Sequence, residues 1–159
     1  MATFGAAPAA AWEMQSLAQL RTDVRSEINV VRAQYGLPLL RPSRPLGRAA
    51  AQHVYEMAVL GYFGHGSPNR ASFAGRLALY YAPRGYASWY VGETLLWWAV
   101  PIQAQTIVQL WFRSPSHRRE LLAPRFREVG IAAAEVAGAG GVYAGRQVTL
   151  VGADFGVRR

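Results

Sequence analysis

The apolar residues of this 159-residue chain change their period once. In the first two thirds they recur three and four apart, the spacing of one helix face. Leu17, Leu20, Val24, Ile28, Val31 and Tyr35 form such a stripe, ended by Gly36 and Pro38. LRPSRPLGRAA then reads as an extended linker into a second helix, where Ser43 can cap and Pro45 is tolerated in the first turn. That helix carries Ala49, His53, Met57 and Leu60 on one face and stops at Gly61. Ser72 to Tyr81 reads as a short third helix, and Pro101 as the start of a fourth bearing Ile102, Ile107, Leu110 and Trp111. VGETLLWW between them suits a buried strand, and SPSHRRELL a short helix or turn. In the last third, EVGIAAAEVA and QVTLVGADFG alternate or run apolar on either side of AGAGGVYAGR, the pattern of a hairpin with a long loop. Helices first and strands last predict an α+β chain, with helices on the faces of a small, mostly antiparallel sheet. No internal repeat or domain boundary interrupts it.

A chain of this length with 52% hydrophobic residues fits one domain, burying roughly 70% of the surface its unfolded form exposes. It has no cysteine, which removes disulfides, thiolate metal sites and a cysteine nucleophile. All 17 basic residues are arginine, against nine acids, for a net charge of +8. Arginine forks onto carboxylates and phosphates, so the surface should attract anionic polymers or lipid headgroups, although a GC-rich genome gives the same bias. The arginines are scattered, and no basic stripe marks a nucleic-acid footprint. The opening MATFGAAPAAAWEM lacks a charged n-region and an unbroken apolar run, so residues 1–12 read as a flexible lead-in to a single domain over 13–159.

The candidates for chemistry are few. His65, in GYFGHGSPN, lies between glycines ahead of a proline turn, which places it on a loop. His117, in SPSHR, has a similar polar setting, and the likeness hints at a shared pocket. His53 falls on the apolar face of its helix and reads as a packing or hydrogen-bonding histidine. Glu93 borders LLWW, where a carboxylate needs a partner, because desolvating an unpaired charge is costly. Two imidazoles and one carboxylate are also an open zinc ligand set, although no tight spacing locks them together. Ser114 and Ser116 beside His117 invite a serine-nucleophile reading, which sequence proximity cannot support. Adjacent Trp97 and Trp98 cannot both face inward on a strand.

Taken in order, HVYEMAVLGYFGH, VGET, LWFRSPSHRRELLAPRFREVGIA and GADFG resemble the bacterial branch of the CAP superfamily. These are the SCP-like extracellular domains related to cysteine-rich secretory proteins, antigen 5 and pathogenesis-related 1. The resemblance spans about residues 15 to 156. It implies a three-layer α-β-α sandwich around a small central sheet, and a cleft formed by His65, Glu93 and His117. It also implies an extracellular or cell-envelope location and, in some members, a divalent metal such as zinc.

Three positions depart from the family pattern. A second glutamate expected before the SPSH turn is Ser114. The asparagine after Gly-Glu is Thr94, and the asparagine three past the second histidine is Glu120. Thr94, Ser114 and Glu120 are therefore expected around the cleft, with Glu120 adding a carboxylate there or, the preferred reading, pairing with an arginine. Glu128 and Asp154 are expected to stabilise the fold through hydrogen bonds or arginine pairs. With one carboxylate lost, the preferred function is a noncatalytic binding or interaction module that requires no cofactor, an accessory subunit of a larger assembly being one form of it. Its expected partner is a lipid, glycan, peptide or protein of the envelope, or an anionic membrane surface, and not nucleic acid. The alternative is a protease-like hydrolase using a metal at His65, His117 and Glu93.

Overall fold

The computed structural model describes residues 16–68, 72–99 and 101–159; the expected lead-in over 1–12 lies outside them. Ser16 accepts the Gln19 amide at 3.2 Å and caps α1 (Leu17–Gln34). A two-residue strand, β1 (Arg41–Pro42), and α2 (Arg44–Leu60) follow. Gly61 ends α2 in the left-handed conformation, φ 67°, which favours a residue without a Cβ. Then come α3 (Phe73–Tyr80), β2 (Trp89–Ala99), α4 (Ala104–Arg113), α5 (Pro115–Leu121), β3 (Glu128–Ala139) and β4 (Arg146–Arg158).

The sheet has four strands in the order β1-β3-β4-β2. β3 and β4 are antiparallel neighbours, β2 adds antiparallel to β4, and β1 pairs parallel with β3. Side chains alternate along β4 as a pleat requires. Val151, Ala153 and Phe155 enter a core with α1, α4 and α5, which supply Leu20, Ile107, Trp111 and Leu121. Val148 and Leu150 enter a second core with Val54 and Met57 of α2. Leu46, Ala49, Leu77 and Tyr81 close the seam between α2 and α3. The result is the expected α-β-α sandwich. Among the described residues no helix is long and apolar enough to cross a membrane.

Two features differ from expectation, and a third settles an alternative left open. The linker into α2 contains β1, and Ser43, buried at the start of α2, makes no side-chain cap bond. α4 begins at Ala104 after Gln103 rather than at Pro101, because Ile102 packs against the core from the preceding extended segment. SPSHRRELL is a helix that starts on Pro115, whose fixed φ suits the first turn.

α2 lies unusually close to the sheet. A Cβ on Gly130 would fall 2.0 Å from the Gly47 nitrogen, so the helix backbone rests directly on β3. Trp97 packs edge-on against Tyr143 at 5.5 Å, while Trp98 is 45% exposed, so the tryptophan pair divides as the strand period requires.

A second tie is made by Arg32, the one charged residue on the buried face of α1. Its guanidinium donates to the carbonyls of Pro38 at 3.0 Å, Leu121 at 2.7 Å, Ala123 at 3.1 Å and Phe126 at 3.4 Å. The last three lie at the end of α5 and in the turn after it, where helix carbonyls lack intrahelical donors. α5 is thereby fixed against the body of the domain.

Candidate functional site

Glu93 stands on the face of β2 that looks toward α2 and α3, and its register partner on β4 is Asp154. Two acids directly opposite each other repel. Arg76, wholly buried on α3, resolves the conflict by donating to Glu93 through Nη2 and to Asp154 Oδ2 at 3.2 Å through Nη1. Nη1 also donates to the Ala49 carbonyl at 3.1 Å, which ties the network to α2. Burial, reinforced by Glu93 beside it, holds the Asp154 carboxyl well above the usual range. Asp154 thus pairs with an arginine as expected, and it also stands opposite Glu93 in register. Glu128 bonds the Tyr81 hydroxyl.

The other Glu93 oxygen meets His65 Nδ1 at 2.9 Å. That hydrogen bond raises the His65 pKa in spite of its partial burial. The His65 side chain is 53% exposed, and among the described residues its Nε2 has no hydrogen-bond partner. Its loop is shaped from beneath by His53 of α2, fully buried, whose Nε2 lies 2.9 Å from the Gly64 carbonyl and 3.9 Å from Glu93 Oε2. Burial lowers the His53 pKa, which suits a neutral ring donating to that carbonyl. Glu56, one turn along α2, accepts from the Tyr62 hydroxyl at 3.1 Å and from the Ser67 hydroxyl, pinning the far side of the loop.

His117 sits in the first turn of α5, and Glu120 lies three residues on, on the same helix face. A Cβ on Gly92 would fall 2.1 Å from Glu120 Oε2, so this carboxylate lies against the β2 backbone next to Glu93. His117 is lowered by burial and then by the charge of His65, and the same His65 charge acts on Glu120, which burial raises. The three side chains share one electrostatic neighbourhood. No hydrogen bond or ion pair joins His117 to His65 or Glu93 among the described residues.

Other expectations fare differently. Glu120 forms no ion pair among the described residues, and Arg119 and Arg125 act on it only at longer range. Thr94 projects to the opposite face of β2 from Glu93, where among the described residues its buried hydroxyl has no partner, so it does not adjoin His65. Ser114 joins α4 to α5, and its hydroxyl meets that of Ser116 at 3.2 Å. His117 lies in a helix rather than in a turn like that of His65. Sequence reasoning missed Arg76 and Glu56.

The donor set does not fit a divalent metal. Among the described residues, no three His, Asp or Glu side chains converge as ligands. An ion at Glu93 would have to share its carboxylate with the Arg76 guanidinium, a like-charged neighbour already bound there.

The fold is shared with solved bacterial structures. An outer surface protein of Borrelia burgdorferi is 18% identical with a TM-score of 0.68, over 87% of this chain and 92% of that one. An extracellular protein containing an SCP domain from Bacillus anthracis is 24% identical with a TM-score of 0.64, over 90% of this chain and 43% of that one. A cysteine-rich secretory protein of Staphylococcus aureus is 16% identical with a TM-score of 0.60, over 91% of this chain and 40% of that one. The chain therefore spans less than half of the last two proteins. No curated protein sequence matches it significantly. The model of the CAP, cysteine-rich secretory protein, family matches residues 25–148, and the chain belongs to that family.

Proposed function

We propose that this CAP domain is a noncatalytic interaction module of the cell surface or envelope, which receives its ligand over the hollow between His65 and the His117 face of α5. The observation that carries this reading is the state of Glu93. Its two oxygens are held by His65 and by buried Arg76, so the carboxylate acts as an internal brace rather than as a free base. A hydrolase would need an available base, a nucleophile or a metal-held water. Ser114 and Ser116 bond each other, and the ligand set for a metal is incomplete.

What the hollow offers instead is recognition. His65 presents Nε2 to solvent from a ring whose other nitrogen is fixed by a carboxylate, and a half-buried imidazole lies nearby on α5. The exposed ring of Phe63 flanks the same loop. Such a set suits a peptide, glycan or lipid of the envelope, with direct hydrogen bonds beside apolar contact. The outer-surface and extracellular descriptions of the Borrelia and Bacillus proteins support the location. Docking within a larger assembly is one form of this role.

The test is a comparison of the purified protein with His65→Ala/His117→Ala on casein and a mixed peptide library, with and without added zinc. Equal, background cleavage by both is expected. Turnover by the wild type that disappears in the double variant overturns the proposal.

A further inference from the structure

Four arginines converge on a cavity outside this hollow. Arg113 from the end of α4, Arg118 and Arg119 from α5, and Arg125 from the following turn line a space of about 580 Å³, with Leu122 and Pro124 among its apolar walls. That size lies within the range of small-ligand sites. None of the four is ion-paired among the described residues. Glu120 is the carboxylate whose field includes Arg119 and Arg125, and it is turned against Gly92. Several cations around one concavity repel each other unless an anion joins them.

Two of the four are already held in place. The Arg118 guanidinium lies 4.5 Å above the Phe112 ring and donates to the Tyr35 hydroxyl at 3.3 Å. Arg125 lies 5.0 Å from the Tyr90 ring. Stacking engages the face of a guanidinium and leaves N–H groups along its edge to fork onto an oxyanion. Arg113 and Arg119 are exposed and, among the described residues, free of aromatic stacking, and so can close over a ligand. Part of the cost of ordering the site is therefore met before binding.

We propose that this cavity binds the phosphate group of a phosphate ester, the arginines taking the oxyanion and the Leu122–Pro124 wall the organic part. Phosphate carries more than one charge at neutral pH and offers three acceptor oxygens, which matches several converging forks better than a single carboxylate does. The site is separate from the His65 hollow, and its occupancy does not depend on the function assigned there. A soluble phosphomonoester and the terminal phosphomonoester of a lipid such as phosphatidic acid carry the same chemistry.

Calorimetric titration with phenyl phosphate tests the site, using Arg113→Gln/Arg119→Gln and the charge-matched control Arg44→Gln/Arg84→Gln, which removes two exposed arginines elsewhere. The pocket variant should weaken binding about tenfold or more, and the control less than about twofold. Inorganic phosphate should bind more weakly than the phenyl ester. Cosedimentation with phosphatidylcholine vesicles, with and without phosphatidic acid, separates the sources. Pocket-dependent retention on the anionic vesicles assigns a lipid headgroup, whereas phenyl phosphate binding without retention assigns a soluble ester. Equal losses in the two double variants, or no binding of either probe, overturn the proposal.

Discussion

Glu93 and Asp154 face each other in register across the β2–β4 ladder, one at the edge of the candidate site and the other wholly buried. Arg76 lies between them as the shared cation. The site is therefore built on an internal charge network that the fold must neutralise before any ligand arrives.

Arg76→Met should destabilise the domain by about 3–5 kcal/mol, because it leaves two carboxyl groups buried without their partner. Urea denaturation measures the loss. Adding Glu93→Gln and Asp154→Asn should recover most of it, since amides of the same shape carry no charge. A single Arg76→Met variant as stable as wild type would show that the network does not hold the strands.

The histidines should titrate apart. In an NMR titration His65 should lie above the usual histidine value and His117 below it, following the Glu93 hydrogen bond on one and burial plus the His65 charge on the other. His65→Gln should then raise His117, since the cation beside it is gone. An unmoved His117 signal would separate the two rings.

Acid should weaken the fold through His53. Its pKa is lower in the folded chain than in the unfolded one, so the native state binds fewer protons. The contribution is present above about pH 6.5, the unfolded value, and is lost as pH falls toward the native value. His53→Gln can still donate to the Gly64 carbonyl, and its stability should fall less over the same acid range. Parallel stability curves for the two proteins would remove His53 as the source. His65 works in the opposite sense, stabilising below its unfolded pKa and losing that contribution as pH rises through its higher native one.

Zinc should leave the melting temperature unchanged. A ligand at free concentration c that binds only the native state stabilises it by RT ln(1 + c/Kd), and here Glu93 is already shared with a guanidinium, which leaves zinc no site to occupy. A zinc-dependent rise abolished by His65→Ala would mean that the network opens to admit the ion.

Gly130→Ala should cost about 3 kcal/mol or more, because its Cβ would meet the backbone of α2 rather than a side chain that can turn aside. Gly92→Ala meets first the end of the Glu120 side chain and then the Phe126 ring at 2.9 Å, and should cost less. Thermal unfolding of the two variants ranks them.

The helices were legible because a buried stripe repeats at 3.6 residues whatever it packs on, and β3 and β4 because their apolar runs exceed chance. β1 was not. It has two residues, and its pairing is made by the amides of Arg41 and Ser43, so Pro42 falls where no N–H is needed and leaves no strand signature. His65 and Glu93 announced themselves, as an imidazole on a glycine loop and an acid in an apolar run. Arg76 did not, since an arginine in FAGRLALY reads as solvent-facing. The available clue lay elsewhere: Glu93 and Asp154 both sit in apolar strands, and two such acids require a buried cation. Thr94 was misplaced because sequence adjacency to Glu93 ignores the pleat, which sends neighbours to opposite faces.

The guanidinium of Arg32 has one more consequence. It joins the first helix to carbonyls some ninety positions later, at 121, 123 and 126, and so supports the segment that carries His117. An N-terminally truncated form lacking α1 would retain every side chain of the candidate hollow and of the arginine cavity, yet lose the donor that anchors their shared helix. Minimal versions of this domain must keep α1 from its Ser16 cap onward, however far that helix lies from the ligand.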